Sequence, residues 1–330
     1  MKDKEKKFIF TGPFKDYCPQ YVSYKRGLGF SFGESSLYLL RNMDEYFKRY
    51  RLSSPLLTKR MVEKFVSHRN KESDRTQHMR MSQIRQFALF MNKRGFDFYV
   101  YPPELVPIAK TFTPYIFTHD EIKRILNVVD RLTYTPHSKF YHLIYPMLFR
   151  MLYGCGLRIS EALSLKKSEV DLANGILTIM KAKNNTNRLI PMSWSLTDYC
   201  KRYTENMDFE MSSEGWFYPS RDGGKYHRTP VYVKFKKFMK NAGIFSEGSV
   251  GPRLHDVRHT YAVHALEKMV NDGQDVYCTL PILSTYLGHR GIESTEKYLR
   301  LTKEAHSSII DALSSLYMNV FPEVVHHEKK

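Results

Sequence analysis

The chain has 330 residues, a hydrophobic share of 42% and a net charge of +17, from 51 Lys and Arg against 34 Asp and Glu. That length suits two domains, and that apolar share is enough for real cores. No apolar run approaches the length of a membrane span, and the charged start Met1-Lys2-Asp3-Lys4 lacks the apolar stretch of a secretory signal, so no membrane partner and a cytoplasmic location are expected.

The first third reads as helical. Phe14 to Arg26 has helical character and stops at Gly27 and Gly29. Leu37, Leu40, Met43, Phe47 and Tyr50 recur at three- and four-residue steps, which predicts an amphipathic helix over 35–50. Thr58 is placed to cap a third helix with Val62, Phe65 and Val66 on its apolar face. A fourth, over 75–94, carries Ile84, Phe87, Ala88 and Met91 on one stripe and Arg75, Arg80, Arg85, Lys93 and Arg94 elsewhere. Those cations read as a solvated face or as contacts to DNA phosphates. Residues 1–110 hold 22 basic and 11 acidic residues, and the remaining 220 hold 29 and 23. A basic first third suits a module that grips a phosphate backbone, where counterion release drives affinity. A basic domain without a polyanion partner is the alternative.

Pro102, Pro103, Pro107 and Pro114 break the pattern and predict a linker, with domains at 1–110 and 111–330. Thr118-His119-Asp120-Glu121 resembles a capping box opening a helix to about Val129. A mostly apolar helix is expected over 138–153, and a further one from Arg158 to near Lys167. Ile176 to Met180 and Leu189 to Pro191 predict a β-hairpin, with a basic, Asn-rich tip between them. Helices are then expected over 195–206, 229–241, 255–271, 278–287 and 303–319. Cys18, Cys155, Cys200 and Cys278 are scattered without metal-ligand spacing and read as free thiols.

Three segments carry chemistry. Gly154-Cys155-Gly156-Leu157-Arg158 places an arginine at a helix start, a good anion position. His255-Asp256-Val257-Arg258-His259-Thr260 puts His255 and Arg258 three residues apart, on one helix face. Leu287-Gly288-His289 is followed by Thr295 and Tyr298. Phosphodiester transfer needs a nucleophile, stabilisation of the charge on phosphorus oxygens, and a proton for the leaving oxygen. Arginine can stabilise that charge without a metal, because its planar fork stays charged and donates two hydrogen bonds. A phenol, with a reference pKa of about 10, becomes a nucleophile only beside cations and a base.

Two arginines, two histidines and a tyrosine in this order and spacing resemble the tyrosine site-specific recombinases, the phage integrase family. The resemblance spans nearly the whole chain. It implies a mainly α fold: an N-terminal helical core-binding (SAM-like) domain, then a mixed α+β catalytic domain with a small antiparallel sheet. It also implies Arg158, His255, Arg258 and His289 around the scissile phosphate, with Tyr298 as nucleophile and Glu161 as a support. A hairpin lysine would be the general acid. Lys183 is selected by counting back from Arg188-Leu189-Ile190-Pro191, with Lys181 the competitor. His259 reads as a packed, hydrogen-bonded core residue. The implied partner is double-stranded DNA, bound by a homo-tetramer assembled on it; the implied product is a 3′-phosphotyrosyl link. No metal and no cofactor are expected. The chain begins almost at the core-binding helices, so no extra N-terminal arm-binding domain is expected. Topoisomerase IB-like nicking and rejoining is a rival outcome of the same chemistry. A non-catalytic DNA-binding protein of the same fold is another, and a metal-dependent nuclease would need clustered carboxylates.

Overall fold

Thr58 starts one N-terminal helix by the expected device, and Ser73, not singled out in the sequence, starts another in the same way: each hydroxyl accepts a backbone N–H three residues on, from Met61 and Thr76. A computed structural model shows these helices as α3, Lys59–Val66, and α4, Asp74–Asn92. It describes residues 8–70, 72–105, 113–136, 139–180, 187–207, 214–245, 251–289, 291, 295 and 298. Before them come α1, Cys18–Gly27, and α2, Glu34–Phe47, the latter running on as a 3-10 turn to Tyr50. Helix α1 starts later than its apolar pattern suggested. Phe14 and Gly12 instead turn around the buried Asp44, whose carboxylate accepts both backbone N–H groups at 2.8 and 2.7 Å. Phe14, Tyr21, Phe47, Phe65, Phe87 and Phe98 build an aromatic core for this unit. The cationic face of α4 is not uniform. Arg80 is buried and held by Glu72 at 2.6 Å and by the Ser67 carbonyl at 3.0 Å, so it belongs to neither a solvated nor a DNA-facing surface.

The chain divides into two units at Phe112–Thr113. The boundary lies two residues from the one proline density indicates. In the second unit, Thr118 and Glu121 form the capping box of α5, His119–Asp130. The largely buried α6, Tyr141–Cys155, ends at Gly156 with φ +58°. A four-residue helix follows, α7, Ile159–Ala162, shorter than the expected run to Lys167 because the chain turns at Leu163 and Ser164. Strands β1, Val170–Asp171, β2, Ile176–Ile179, and β3, Arg188–Pro191, form an antiparallel sheet in that order. The β2–β3 register pairs Ile179 with Arg188 and Ile176 with Pro191. The hairpin is as expected; β1 is an addition. Helices α8, Trp194–Asn206, α9, Arg228–Asn241, α10, Asp256–Asn271, and α11, Val276–Leu287, follow the sheet. The expected helix over 303–319 lies outside the described residues. Helix α6 packs on α5, α8 and α10, and α10 packs on α11. That arrangement brings the end of α6, the start of α10 and the turn after α11 together. Among the described residues, no helix is long and apolar enough to cross a membrane.

Candidate active site

Gly156, after Cys155, ends α6 in a left-handed turn. A Cβ on Gly156 would fall 2.4 Å from the Tyr261 ring, so the residue permits both the left-handed turn and the close approach of α10. Arg158 follows at the N-cap of α7. Its Nη1 donates to Glu161 Oε1 at 2.7 Å and its Nη2 to the Gly288 carbonyl at 3.3 Å. Glu161 also receives both terminal nitrogens of Arg188, at 3.2 and 2.8 Å. Burial raises the Glu161 pKa, but the hydrogen bonds from Arg188 and the Arg158 backbone, with the arginine charges, outweigh it and hold the carboxyl at about 2. Glu161 is therefore a fixed anion between two arginines.

Arg258 lies one turn into α10 and is only 2% exposed. Its Nη1 donates to the Gly156 carbonyl at 2.7 Å and its Nη2 to the Leu287 carbonyl. Burial and the nearby Arg158 lower its pKa to about 10, which leaves it charged at neutral pH. Two guanidinium groups thus converge with Glu161 as partial counterion, which lies 3.8 Å from Arg258. The excess positive charge suits an anion such as a phosphate diester.

Three imidazoles border this charge. His255 occupies the N-cap of α10, and its ring meets that of His259 at 4.8 Å, edge to face. His289 Nδ1 is 2.9 Å from the Thr295 hydroxyl, and its ring stacks at 6.2 Å on Tyr298. The His255, His259 and His289 pKa values fall to about 4, 3 and 4. Desolvation is the first cause in each, followed by repulsion from Arg258 and Arg158 for His255 and His289, and from His255 and Arg258 for His259. At neutral pH all three are uncharged.

Tyr298 is 3% exposed and packs in one apolar cluster with Ala262, Val263 and Leu266 of α10 and Leu283 and Leu287 of α11. Its hydroxyl shares a hydrogen bond of 3.0 Å with His259 Nδ1. Burial raises the phenol pKa, while Arg258 and Arg158 pull it down. The structure therefore gathers Arg158, His255, Arg258, His289 and Tyr298. Lys183 and its competitor Lys181 lie outside the described residues.

Two participants are more than the sequence suggested. His259 is half-buried and hydrogen-bonded, as expected, but its partner is the Tyr298 hydroxyl. The four-residue step from His255, which puts both rings on one face, is the signal that points to it. Arg188 serves in the sequence only to count the hairpin register. It also ties β3 to the site through Glu161 and through the Tyr286 carbonyl, 3.0 Å from its Nε. Asp256, next to His255 in the motif, accepts from the Arg253 backbone at 2.7 Å, and burial raises its pKa.

The model of the phage integrase family matches residues 116–305. The chain belongs to this family. A Sinorhizobium fredii protein of the family, provisionally designated integrase/recombinase y4rB, is 29% identical over 305 residues, covering 88% of this chain and 95% of its own. Tyrosine recombinase XerA of Thermococcus kodakarensis is 28% identical over 271 residues, 82% of this chain and 86% of its own. By class this phage integrase family member is a tyrosine recombinase. The fold is that of the Tn1549 transposon integrase in complex with circular intermediate DNA, with a TM-score of 0.61 at 16% identity, over 85% of this chain and 94% of that one. The XerH recombinase bound to its difH substrate gives 0.60 at 19% identity, over 82% and 77%.

Proposed function

We propose that the chain recombines duplex DNA at specific sites, with Tyr298 as the attacking group. The observation that carries the reading is the convergence of a buried tyrosine hydroxyl, a neutral imidazole 3.0 Å from it, and two guanidinium groups in one unit. The recombinases of similar fold that are bound to DNA support duplex DNA as the partner.

The phenolic oxygen attacks phosphorus, and the P–O5′ bond breaks. A 3′-phosphotyrosyl ester and a free 5′-hydroxyl result. Attack by a 5′-hydroxyl from another strand reverses the step and restores the phenol. The bond energy stays in the ester, so the exchange consumes no nucleotide. Arg158 and Arg258 hold the non-bridging oxygens, where charge grows in the transition state. His259 Nδ1 takes the phenolic proton, and His255 and His289 border the same phosphate. Lys183 protonates the leaving 5′-oxygen. An arriving phosphate supplies the negative charge that raises the three imidazole pKa values and makes them better proton acceptors. Four protomers on two DNA sites would carry out the full exchange.

A nicked suicide substrate tests this reading. The wild type should form a covalent protein–DNA adduct, undiminished in excess EDTA. Tyr298→Phe should bind the same DNA and form none. An adduct with the Phe variant removes Tyr298 from its role, and loss of cleavage on chelation, restored by magnesium, removes the arginines from theirs. Relaxed plasmid without recombinant products would point to the topoisomerase-like outcome.

A further inference from the structure

Helix α10 carries a second group of titratable side chains two turns beyond Arg258. His264 and Glu267 are three residues apart and share a face. His119, the first residue of α5, stacks on His264 with ring centroids 3.9 Å apart and planes 28° apart. One ring nitrogen of each histidine and one carboxylate oxygen of Glu267 all lie within 4.8 Å of one another. Tyr153 of α6 completes the group, its hydroxyl 2.9 Å from His264 Nδ1. All four line a cleft of about 730 Å3. None of them takes part in the tyrosine chemistry.

We propose that His119, His264 and Glu267 bind one divalent transition-metal ion of the zinc class, with Tyr153 fixing His264 from outside the coordination sphere. Two imidazoles and a carboxylate are a donor set for borderline ions; calcium and magnesium favour oxygen ligands throughout. The Tyr153 hydroxyl engages Nδ1 of His264, which leaves Nε2 available to an ion, the arrangement by which an outer partner sets the tautomer of a ligand.

Tetrahedral coordination with bonds of 2.0–2.1 Å separates ligand atoms by roughly 3.4 Å. The three donors must therefore approach by about 1.4 Å at most from the 4.8 Å limit. His119 is exposed and sits at the start of its helix, so its ring can shift along the His264 face toward the ion. Water would take the fourth position. The ion would staple α5 to α10, the helix that positions Arg258. It would lie about 9 Å along that helix from Arg258, at 1.5 Å per residue, too far to touch the scissile phosphate bound there. Its effect is on the scaffold.

The test uses untagged, full-length protein stripped with chelator. Cobalt titration followed by visible absorbance should give one site per chain, and zinc should displace the cobalt. Zinc affinity, measured by competition with a chromophoric chelator, should drop at least tenfold in His119→Ala, His264→Ala and Glu267→Gln. Tyr153→Phe should weaken it by about tenfold, the lower end of the usual range for an outer partner. His68→Ala, a change at an exposed histidine of the other unit, should leave it unchanged. Zinc should also raise the unfolding temperature of the wild type and not that of His119→Ala. That variant changes an exposed side chain, so its metal-free unfolding temperature should match the wild type. Absence of saturable binding overturns the proposal. So does an affinity that survives both His119→Ala and Glu267→Gln, or that falls equally in His68→Ala.

Discussion

Arg158 and Arg258 converge on one site by different routes, and their removal should fail differently. Arg158 is partly exposed, with 18% of its side chain accessible, and it bonds mainly to Glu161. Arg158→Ala should fold and bind DNA but slow cleavage by about 10²–10³, the roughly 2.7–4 kcal/mol typical of one lost oxyanion donor. Arg258 is buried and holds the carbonyls of Gly156 and Leu287. Arg258→Ala leaves both acceptors without that partner in the interior, so it should lower the unfolding temperature as well as the single-turnover rate. Equal unfolding temperatures for the two variants would contradict this division. The histidines set a separate expectation. The pKa values of His255, His259 and His289 are lowered in the fold from about 6.5 to about 4, 3 and 4. A lowered pKa means that the unfolded chain binds the proton first. Their contribution to stability is thus complete above pH 6.5 and is lost as pH falls from there through about 4. Glu161, lowered from 4.5 to about 2, adds a loss only below pH 4.5. Urea midpoints across pH 7 to 4 should decline, and less steeply in His259→Gln. Histidine NMR titrations with all three midpoints at or above 6.5 would refute the account.

At the scale of elements, most of the fold was legible because apolar spacing and end signals agree. Thr58, Ser73 and Thr118 begin helices where a hydroxyl can take a free N–H, and Gly156 ends one where its Cβ-free turn lets α10 approach. What could not be read came from long-range pairing. Arg80 lies in a run of surface-like cations, and only folding brings Glu72 and the Ser67 carbonyl to it. Strand β1 is two residues long and exists through its pairing with Leu177 and Ile176 of β2, with no periodicity of its own. The site itself was read through three separated motifs. Glu161 was expected as a support, but its bond to Arg188, 27 residues on, was not, nor were the bonds from Arg158 to the Gly288 carbonyl, 130 residues away, and from Arg258 to the Leu287 carbonyl, 29 residues away, because each joins separate segments. The hairpin carries a prediction of its own. Arg188, paired with Ile179 in the β2–β3 register, ties strand β3 to the site, and Lys181 and Lys183 precede it in sequence. Lys183→Ala should slow cleavage far more than Lys181→Ala, within the 10²–10⁴ expected of a general acid. A substrate with sulfur at the 5′-bridging position, whose leaving group needs no proton, should restore the slower variant. Restoration of Lys181→Ala instead would move the acid to that residue.

At the scale of the whole molecule, charge and assembly belong together. The first 110 residues carry twice as many basic as acidic residues, 22 against 11. Such a unit should bind duplex DNA with a strong inverse dependence on salt, as counterions are released from the phosphates it covers. Binding to one site, however, does not bring two sites together. Ile309, Ile310, Leu313, Leu316 and Val320 follow Tyr298 in sequence at steps of one, three and four residues, a pattern suited to one apolar helix face. Such a face most simply packs on its own domain; in an assembling recombinase it would dock on the neighbouring protomer and join subunits into a ring. With only five apolar residues, the contact is small for a stable free oligomer. The free protein should therefore be monomeric or weakly associated and assemble on DNA. Deleting residues 303–330 separates the two roles. Docking on a neighbour predicts that the truncated protein retains its single-site affinity and its unfolding temperature, yet forms no synaptic complex and no recombinants. Packing on its own domain predicts a drop in unfolding temperature, because the buried face is exposed, while synaptic complexes persist for whatever protein stays folded. Light-scattering mass on two-site DNA, measured beside thermal unfolding, distinguishes them. The first pattern of results assigns the segment to assembly, and the second returns it to the core.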